Sequence, residues 1–202
     1  MLFLNYSTVI DLILRDLRIF VSEFSGIKAG DTILDVCCGT GEQVFYYVKK
    51  GAITIGIDLN PNMLRLAERN KKKSGIKGAS FQIADASNLP FYDNIFDFAS
   101  ISLALHAMER TVRDRVISEM KRVVKKKGTL IFADFQVPLP QNFFRHLAKA
   151  IEFMVGGEHY RNFKDFVRQG GLDELLRRNQ LQIEKRGRLK ADVIAVIESL
   201  NT

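Results

Sequence analysis

Asp35 stands inside a short apolar run, Thr32-Ile33-Leu34-Asp35-Val36, and a little further on the chain reads Gly39-Thr40-Gly41. A brief run rich in Ile, Leu and Val is the mark of a buried strand, and the residues after the glycines can start a helix. A strand that turns through glycines into a helix leaves backbone N–H groups free at the helix start. It also lets a ligand approach the main chain, because glycine has no Cβ. A nucleotide-like cofactor is held in this way at the carboxyl end of a parallel sheet. Asp58 follows seventeen positions after Gly41, at the end of a second apolar run. A carboxylate at about this spacing can accept both hydroxyls of a ribose. The third glycine of the dinucleotide fingerprint is absent, since Val44 stands there. That argues against a nicotinamide-dependent oxidoreductase. No Ser-His-Asp or Cys-His arrangement stands in a recognisable context. Cys37 and Cys38 are neighbours, so they are expected to be reduced and structural, lining a tight turn in a reducing cytoplasm. Two adjacent thiols make no zinc site, which needs four spaced ligands, and no metal is expected.

These residues need a scaffold, and the periodicity supplies one. Apolar side chains at Ile10, Ile13, Leu14, Leu17, Phe20, Val21 and Phe24 recur in steps of three and four, an amphipathic helix over 9–24. Val44, Phe45 and Val48 face a sheet from the helix after the glycines. Strands are predicted over Ile53–Asp58, Phe81–Ala84, Phe96–Leu103 and Thr129–Ala133. Asn60-Pro61 is a helix cap and first helical residue. Thr111 with Asp114 reads as a capping box for a long helix that Gly128 stops. Strand and helix alternate throughout this part, which implies a parallel sheet with right-handed crossovers. Beyond it come a helical face from Phe144 to Val155, a break at Gly156-Gly157, two further helices, and strands over Leu181–Gly187 and Asp192–Ile197. The connection between these last two is too short for a parallel crossover, so they pair antiparallel.

The chain has 202 residues, 47% of them hydrophobic, enough to bury one sizeable α/β core. No apolar run approaches a membrane span. The first twenty residues have no basic leader or small-residue cleavage site, so no signal peptide is expected. The net charge is +7, but its two lysine runs, Lys71–Lys73 and Lys125–Lys127, fall where helices should end and suit the helix dipole. No linker or repeat divides the chain. A single domain over 1–202 is expected, with an N-terminal helix and a helical, lid-like insertion at about 138–171.

The order of acid, glycine turn and helix resembles motif I of the class I S-adenosylmethionine-dependent methyltransferases. The run Asp35-Val-Cys-Cys-Gly-Thr-Gly-Glu42 resembles the ubiquinone/menaquinone-biosynthesis type, with Cys37 where the general pattern has its first glycine. The resemblance covers residues about 6–135. It implies a Rossmann-like three-layer sandwich on a seven-stranded, mostly parallel sheet whose last strand is antiparallel. It also implies S-adenosylmethionine as cofactor and S-adenosylhomocysteine as product. Asp35, Gly39, Thr40 and Gly41 then line the cofactor site. Gly56–Leu64 resembles the next motif, giving Asp58 to the ribose, with Leu59 and Met63 against the adenine. Ile83–Phe91 resembles the third, so Asp85 and the Ala86 N–H would meet the adenine edge. Phe96–His106 resembles motif IV, which places Ser102 and Leu103 beside the methionine portion. Leu130–Phe135 resembles the fifth-strand motif and reads as core.

His106 is the polar candidate for catalysis at the acceptor site, with Tyr6, His159 and Tyr160 as further acceptor-facing residues. Phe143, Phe144, Phe153, Met154 and Phe163 supply apolar surface around the paired glycines. The segment from Pro138 to Gly171 does not match the longer one of the quinone enzymes. The expected reaction is methyl transfer to a small, apolar or aromatic acceptor, quinone-like in one reading. Methylation of a macromolecule and a nicotinamide-dependent oxidation are the alternatives. Nucleic-acid base methylation has against it the absence of an N/D-P-P-Y/F run after the fourth strand, where Ser102-Leu103-Ala104-Leu105 stands.

Overall fold

The structure is a computed structural model. It describes residues 6–202, and of the side chains of residues 6–13, 143, 144, 148, 151 and 155 nothing is described. The elements follow in order α1 (Tyr6–Phe24), β1 (Thr32–Val36), α2 (Glu42–Lys49), β2 (Ile53–Asp58), α3 (Pro61–Ser74) and β3 (Ala79–Ile83). After them come β4 (Phe96–Ser102), a short 3-10 turn (Leu105–Ala107), α4 (Arg110–Val123) and β5 (Val124–Phe135). The chain finishes with α5 (Phe143–Val155), α6 (Gly157–Arg168), α7 (Gly171–Arg178), β6 (Ile183–Leu189) and β7 (Ile194–Leu200).

One seven-stranded sheet carries everything, in the order β3-β2-β1-β4-β5-β7-β6. The first five strands are mutually parallel, and β7 runs antiparallel to both β5 and β6. The central strands are buried on both faces, which is why β1 and the second half of β5, from Leu130 on, read as near-continuous apolar runs. Right-handed crossovers send α2 and α3 to one face and α4 to the other. The strand order reverses between β1 and β4, so a crevice opens at their carboxyl ends.

Several local expectations shift. Thr111 is not a cap: α4 begins after Glu109, with no side-chain capping bond. Asp114 looks away from the helix start, because Arg178 Nε and Asn179 Nδ2 each donate to its Oδ1 at 2.7 Å. Gly128 does not stop a helix either. α4 ends at Val123, and β5 runs through Lys125–Lys127, past a register shift opposite Phe96 and Phe98. These lysines are therefore strand residues in solvent, not helix ends, with Lys125 Nζ 2.7 Å from Asp97. A side chain at Gly128 would sit 2.7 Å from the Asp97 carbonyl, so glycine permits the close approach of two strands. Lys71–Lys73 do end α3. β3 begins at Ala79 rather than Phe81, because Thr54 of β2 pairs with Ala79. The closing strands begin and end two or three residues later than their apolar patterns suggest.

A fully buried arginine ties α4 to α6. Arg113 is 1% exposed; its Nε donates to the Leu105 carbonyl at 2.9 Å, its Nη2 to the Asn162 carbonyl at 2.7 Å, and its Nη1 reaches Asp165 at 3.0 Å. The guanidinium lies over the Phe166 ring, 5.2 Å from its centroid. Replacing it takes a buried donor from two carbonyls and from Asp165, which keeps Gln169 as a partner. Arg113→Met should cost about 3 kcal/mol of stability, measured by urea unfolding. Arg113→Lys should recover little of it, because one ammonium cannot span three acceptors.

Candidate functional site

The carboxyl ends of β1 and β4 are each closed by a residue in left-handed backbone, Cys37 (φ 58) and Leu103 (φ 50). That conformation explains why the related motif carries glycine where this chain has Cys37. Gly39 is left-handed as well (φ 53), and a Cβ built on it meets nothing within 4 Å. Gly41 caps α2 at φ 77, and there a Cβ would lie 2.5 Å from the Phe81 ring. One glycine thus leaves open space before the loop, and the other lets the helix close onto the sheet.

The loop is held by the next strand. The Gly39 N–H donates to Asp58 Oδ2 at 2.9 Å, and the Asn60 N–H to Asp58 Oδ1 at 2.8 Å. Each oxygen keeps a further lone pair for a ligand hydroxyl. Thr40 lies between the two glycines, its carbonyl 3.4 Å from Asn70 Nδ2. Beyond Asp58, Leu59 is 68% exposed, and Met63 and Ile83 are exposed with it, an apolar surface at the ends of β2 and β3. Asp85 is exposed after β3, and its Oδ1 accepts from the N–H and hydroxyl of Ser87. Ala86 is buried beside it.

On the other side of the glycines is a cavity of about 220 Å³. Asp35, Cys37 and Cys38 form its floor, Ser102 and Leu103 one wall, Glu42 and Gln43 another, and Leu14, Leu17 and Arg18 of α1 the roof. Asp35 is 2% exposed and accepts the Ser100 hydroxyl at 2.6 Å. Burial pushes its pKa up to about 7, against the pull of Ser100 and Arg18. Burial and the facing carboxylates push Cys37 up to about 12, and Cys38 higher still. Both thiols are free and half-buried, protonated and poor nucleophiles. Gln43 Oε1 and Ser102 Oγ, of two residues that line this cavity, are buried without a hydrogen-bond partner among the described residues. Buried polar atoms seldom stay unpaired, so these two point to a ligand.

The polar candidates beyond the cavity gather elsewhere. His106, 4% exposed in the 3-10 turn after β4, directs Nδ1 to Asp134 Oδ1 at 2.7 Å. Its backbone N–H donates to the other oxygen of Asp134 at 3.1 Å. Its Nε2 lies 3.5 Å from Glu152 of α5, whose second oxygen meets His159 Nε2 of α6 at 2.6 Å. Burial works against charge on His106, but Asp134 and then Glu152 outweigh it and hold its pKa up to about 9. Tyr160 belongs to an aromatic wall with Phe153 and Phe163. Phe163 is buried, whereas Phe153 and Met154 are largely exposed. Tyr6 opens α1, but its side chain lies outside the described residues, as do those of Phe143 and Phe144.

The structure therefore brings Asp35, the glycine loop, Asp58, Ser102 and Leu103 to one crevice, and His106 and His159 to a second cluster. Sequence reasoning missed Arg18, Gln43, Asp134 and Glu152. Arg18 had a signal: it stands four residues after Leu14 and three before Val21, a charge on the apolar face of α1. Asp134 sat inside a run read as core, and it is fully buried there with His106 as its partner. Glu152 had no signal, since only the fold of α5 against α6 gives it neighbours.

Comparison with known proteins fits this geometry. The profile of the family described as methyltransferase domain matches residues 27–176. A ubiquinone/menaquinone biosynthesis C-methyltransferase of Pseudomonas paraeruginosa is 35% identical over 123 residues, covering 59% of this chain and 47% of that protein. An uncharacterised methyltransferase of Synechocystis is 33% identical over 122 residues, covering 60% and 55%. The chain thus spans about half the length of the curated relatives it matches. Among solved structures, a SAM-dependent methyltransferase from Aquifex aeolicus superposes with a TM-score of 0.68 at 18% identity, over 92% of this chain and 89% of that one. At that identity the likeness speaks for the fold alone. With the profile running from the residues before β1 to α7, and the seven-stranded sheet ordered as described, the chain belongs to the methyltransferase domain family and has the class I S-adenosylmethionine-dependent fold.

Proposed function

We propose that this chain transfers a methyl group from S-adenosylmethionine to a small, apolar or aromatic acceptor. The observation that carries the reading is the cavity at the β1–β4 seam, with its two unpaired buried oxygens beside a carboxylate. Acceptors of this kind, Asp35, Gln43 Oε1 and Ser102 Oγ, suit an ammonium group. Arg18 at the roof suits a carboxylate, and together they match the two ends of an amino acid. Asp58, across the glycine loop, suits a ribose, while Leu59, Met63 and Ile83 offer a flat apolar bed for a base. To Asp85 and the Ala86 N–H, just after β3, we assign the adenine edge.

When bound, S-adenosylmethionine supplies a methyl group activated by a sulfonium. The protein's part is to hold donor and acceptor in line and to exclude water. The rings of Phe135 and Phe163 flank His106, at 4.8 and 6.1 Å between centroids. This aromatic wall beside the end of β4 supports an aromatic acceptor. The relatives named for quinone biosynthesis support a quinone-like one. α5 and α6 join at Gly156, where φ is 72 and ψ is −166, and we assign to the segment 138–171 the part of a lid over the acceptor. We assign His159 and Tyr160 of this segment, with His106 of the turn after β4, to the side facing the acceptor. The parent chain should bind S-adenosylhomocysteine more tightly than NAD in calorimetry; the reverse order would reject the reading.

Removing the Asp58 carboxylate tests the ribose role. Asp58→Ala should weaken S-adenosylhomocysteine binding about 10- to 100-fold, since charge-assisted hydrogen bonds are worth roughly 1.5–3 kcal/mol. Unchanged affinity in a folded variant would reject that role.

Asp35 gives a pH test. Its folded pKa is raised to about 7 from an ordinary 3.8. The folded chain therefore holds a proton that the unfolded chain has lost, and stability falls as pH rises between these values. Asp35→Asn keeps an acceptor for Ser100 and lacks the charge. Its thermal unfolding should gain on the parent's from pH 4 to pH 8, by roughly 2–4 kcal/mol. Its affinity for S-adenosylhomocysteine, which carries the same ammonium, should fall.

The lid predicts a pattern of hydrogen exchange. Amides of 140–170 should exchange faster than those of β1, β4 and β5 in the free chain, and slow when S-adenosylhomocysteine and a naphthoquinol are added together. Equal protection in both states would reject a moving cover.

A further inference from the structure

Three elements distant in sequence deliver one ligand atom each to the same spot. His106 comes from the turn after β4, Glu152 from α5 and His159 from α6. Their imidazole nitrogens and carboxylate oxygen all lie within 4.8 Å of one another. We infer that His106, Glu152 and His159 form a site for one divalent transition-metal ion, of the class of zinc or iron(II).

The donor set supports this. Two imidazoles and a carboxylate are the set of catalytic zinc sites and of non-haem iron(II) sites, both of which keep positions open for a ligand. Magnesium and calcium would ask for more oxygen. In a tetrahedral site with bonds near 2.1 Å, ligand atoms stand about 3.4 Å apart. His106 Nε2 and Glu152 Oε1 are already 3.5 Å apart. The 2.6 Å contact between Glu152 and His159 has only to open, an ion taking the place of the hydrogen bond.

The surroundings fit as well. Asp134 holds His106 by Nδ1 and by the backbone N–H, which fixes the tautomer that leaves Nε2 for an ion. Asp134 is itself fixed, since the Phe135 N–H donates to it at 2.8 Å. His106 and Glu152 are buried, while His159 is 31% exposed. The cluster is thus closed toward the sheet and open on the His159 side. A metal-free cluster is the competing account: a protonated imidazole between carboxylates satisfies the same groups.

An ion here would take an oxygen of the acceptor in its open position and lower the pKa of a hydroxyl, the proton leaving to solvent. That use rests on the proposed methyl transfer; the ion site itself does not. The two are separated by measuring S-adenosylhomocysteine binding by the parent independently of metal.

The experiment uses the full chain without a histidine tag, stripped with chelator and titrated with Co²⁺ and with Zn²⁺. One ion per chain is expected, with visible d–d absorption for Co²⁺ that Zn²⁺ abolishes. His159→Ala and Glu152→Gln, shown folded by circular dichroism, should bind at least about 100-fold more weakly. A parent that takes up no ion, or a folded His159→Ala with the parent's affinity and spectrum, would overturn the site. Parent uptake with failed S-adenosylhomocysteine binding would leave the metal site standing and remove the methyl-transfer reading.

Discussion

The seam between β1 and β4 is the constraint on which the rest depends. These strands pair in register, Asp35 opposite Ser100, where the order of the parallel strands turns back on itself. The parallel strands β2 and β3 are reached by crossovers on one face, and β5 by a crossover on the other. Neither run can cover the seam's carboxyl end, so a crevice is left there. A buried carboxylate is held across it by a 2.6 Å hydrogen bond from Ser100. A charge so placed is costly unless a cation or a proton joins it. The raised pKa of Asp35 and the guanidinium of Arg18 are two sides of that cost.

The left-handed residues follow from the same seam. Cys37 and Leu103 turn the chain sharply just beyond two adjacent parallel strands. The Leu103 N–H still finds the Ala133 carbonyl at 2.7 Å, and the Cys38 N–H finds Ile57 at 2.8 Å. These bonds over-determine the turn and offset the strain of a side chain at positive φ. The result is an open cavity that α1, packed over α2, can roof.

A second polar centre serves the helices beyond β5. Asp134, His106, Glu152 and His159 form a chain of contacts running from the carboxyl end of β5 to the surface of α6. Arg113 does similar work from α4, through Asp165 and the Asn162 carbonyl. Buried charges fix neighbours more strictly than apolar contacts do, because each lost partner leaves an unpaid desolvation. α6 is thereby tied to the sheet side through both, with the aromatic residues Phe135, Phe163 and Phe166 filling the space between.

The sequence alone determined the strand–helix alternation, the parallel order to β5, the antiparallel close and the cofactor crevice. Those features are local: runs of apolar residues, an Asn-Pro cap and glycines at turns are written in neighbouring positions. Ile53–Asp58 was legible to the residue for that reason. Where the reading slipped, a distant partner had overruled a local signal. Arg178 and Asn179 drew Asp114 away from a capping box, and Phe96 drew Val124 into a strand before Gly128 could end a helix. Arg18 was half legible, as a charge on an apolar helical face. Asp134 and Glu152 were not, because each is given its meaning by a histidine 28 or 46 positions away, or by His159 seven along but one helix over. Only the tertiary structure could decide that, since hydrogen bonds and ligand sets depend on distance in space, and sequence spacing fixes that distance only within one element.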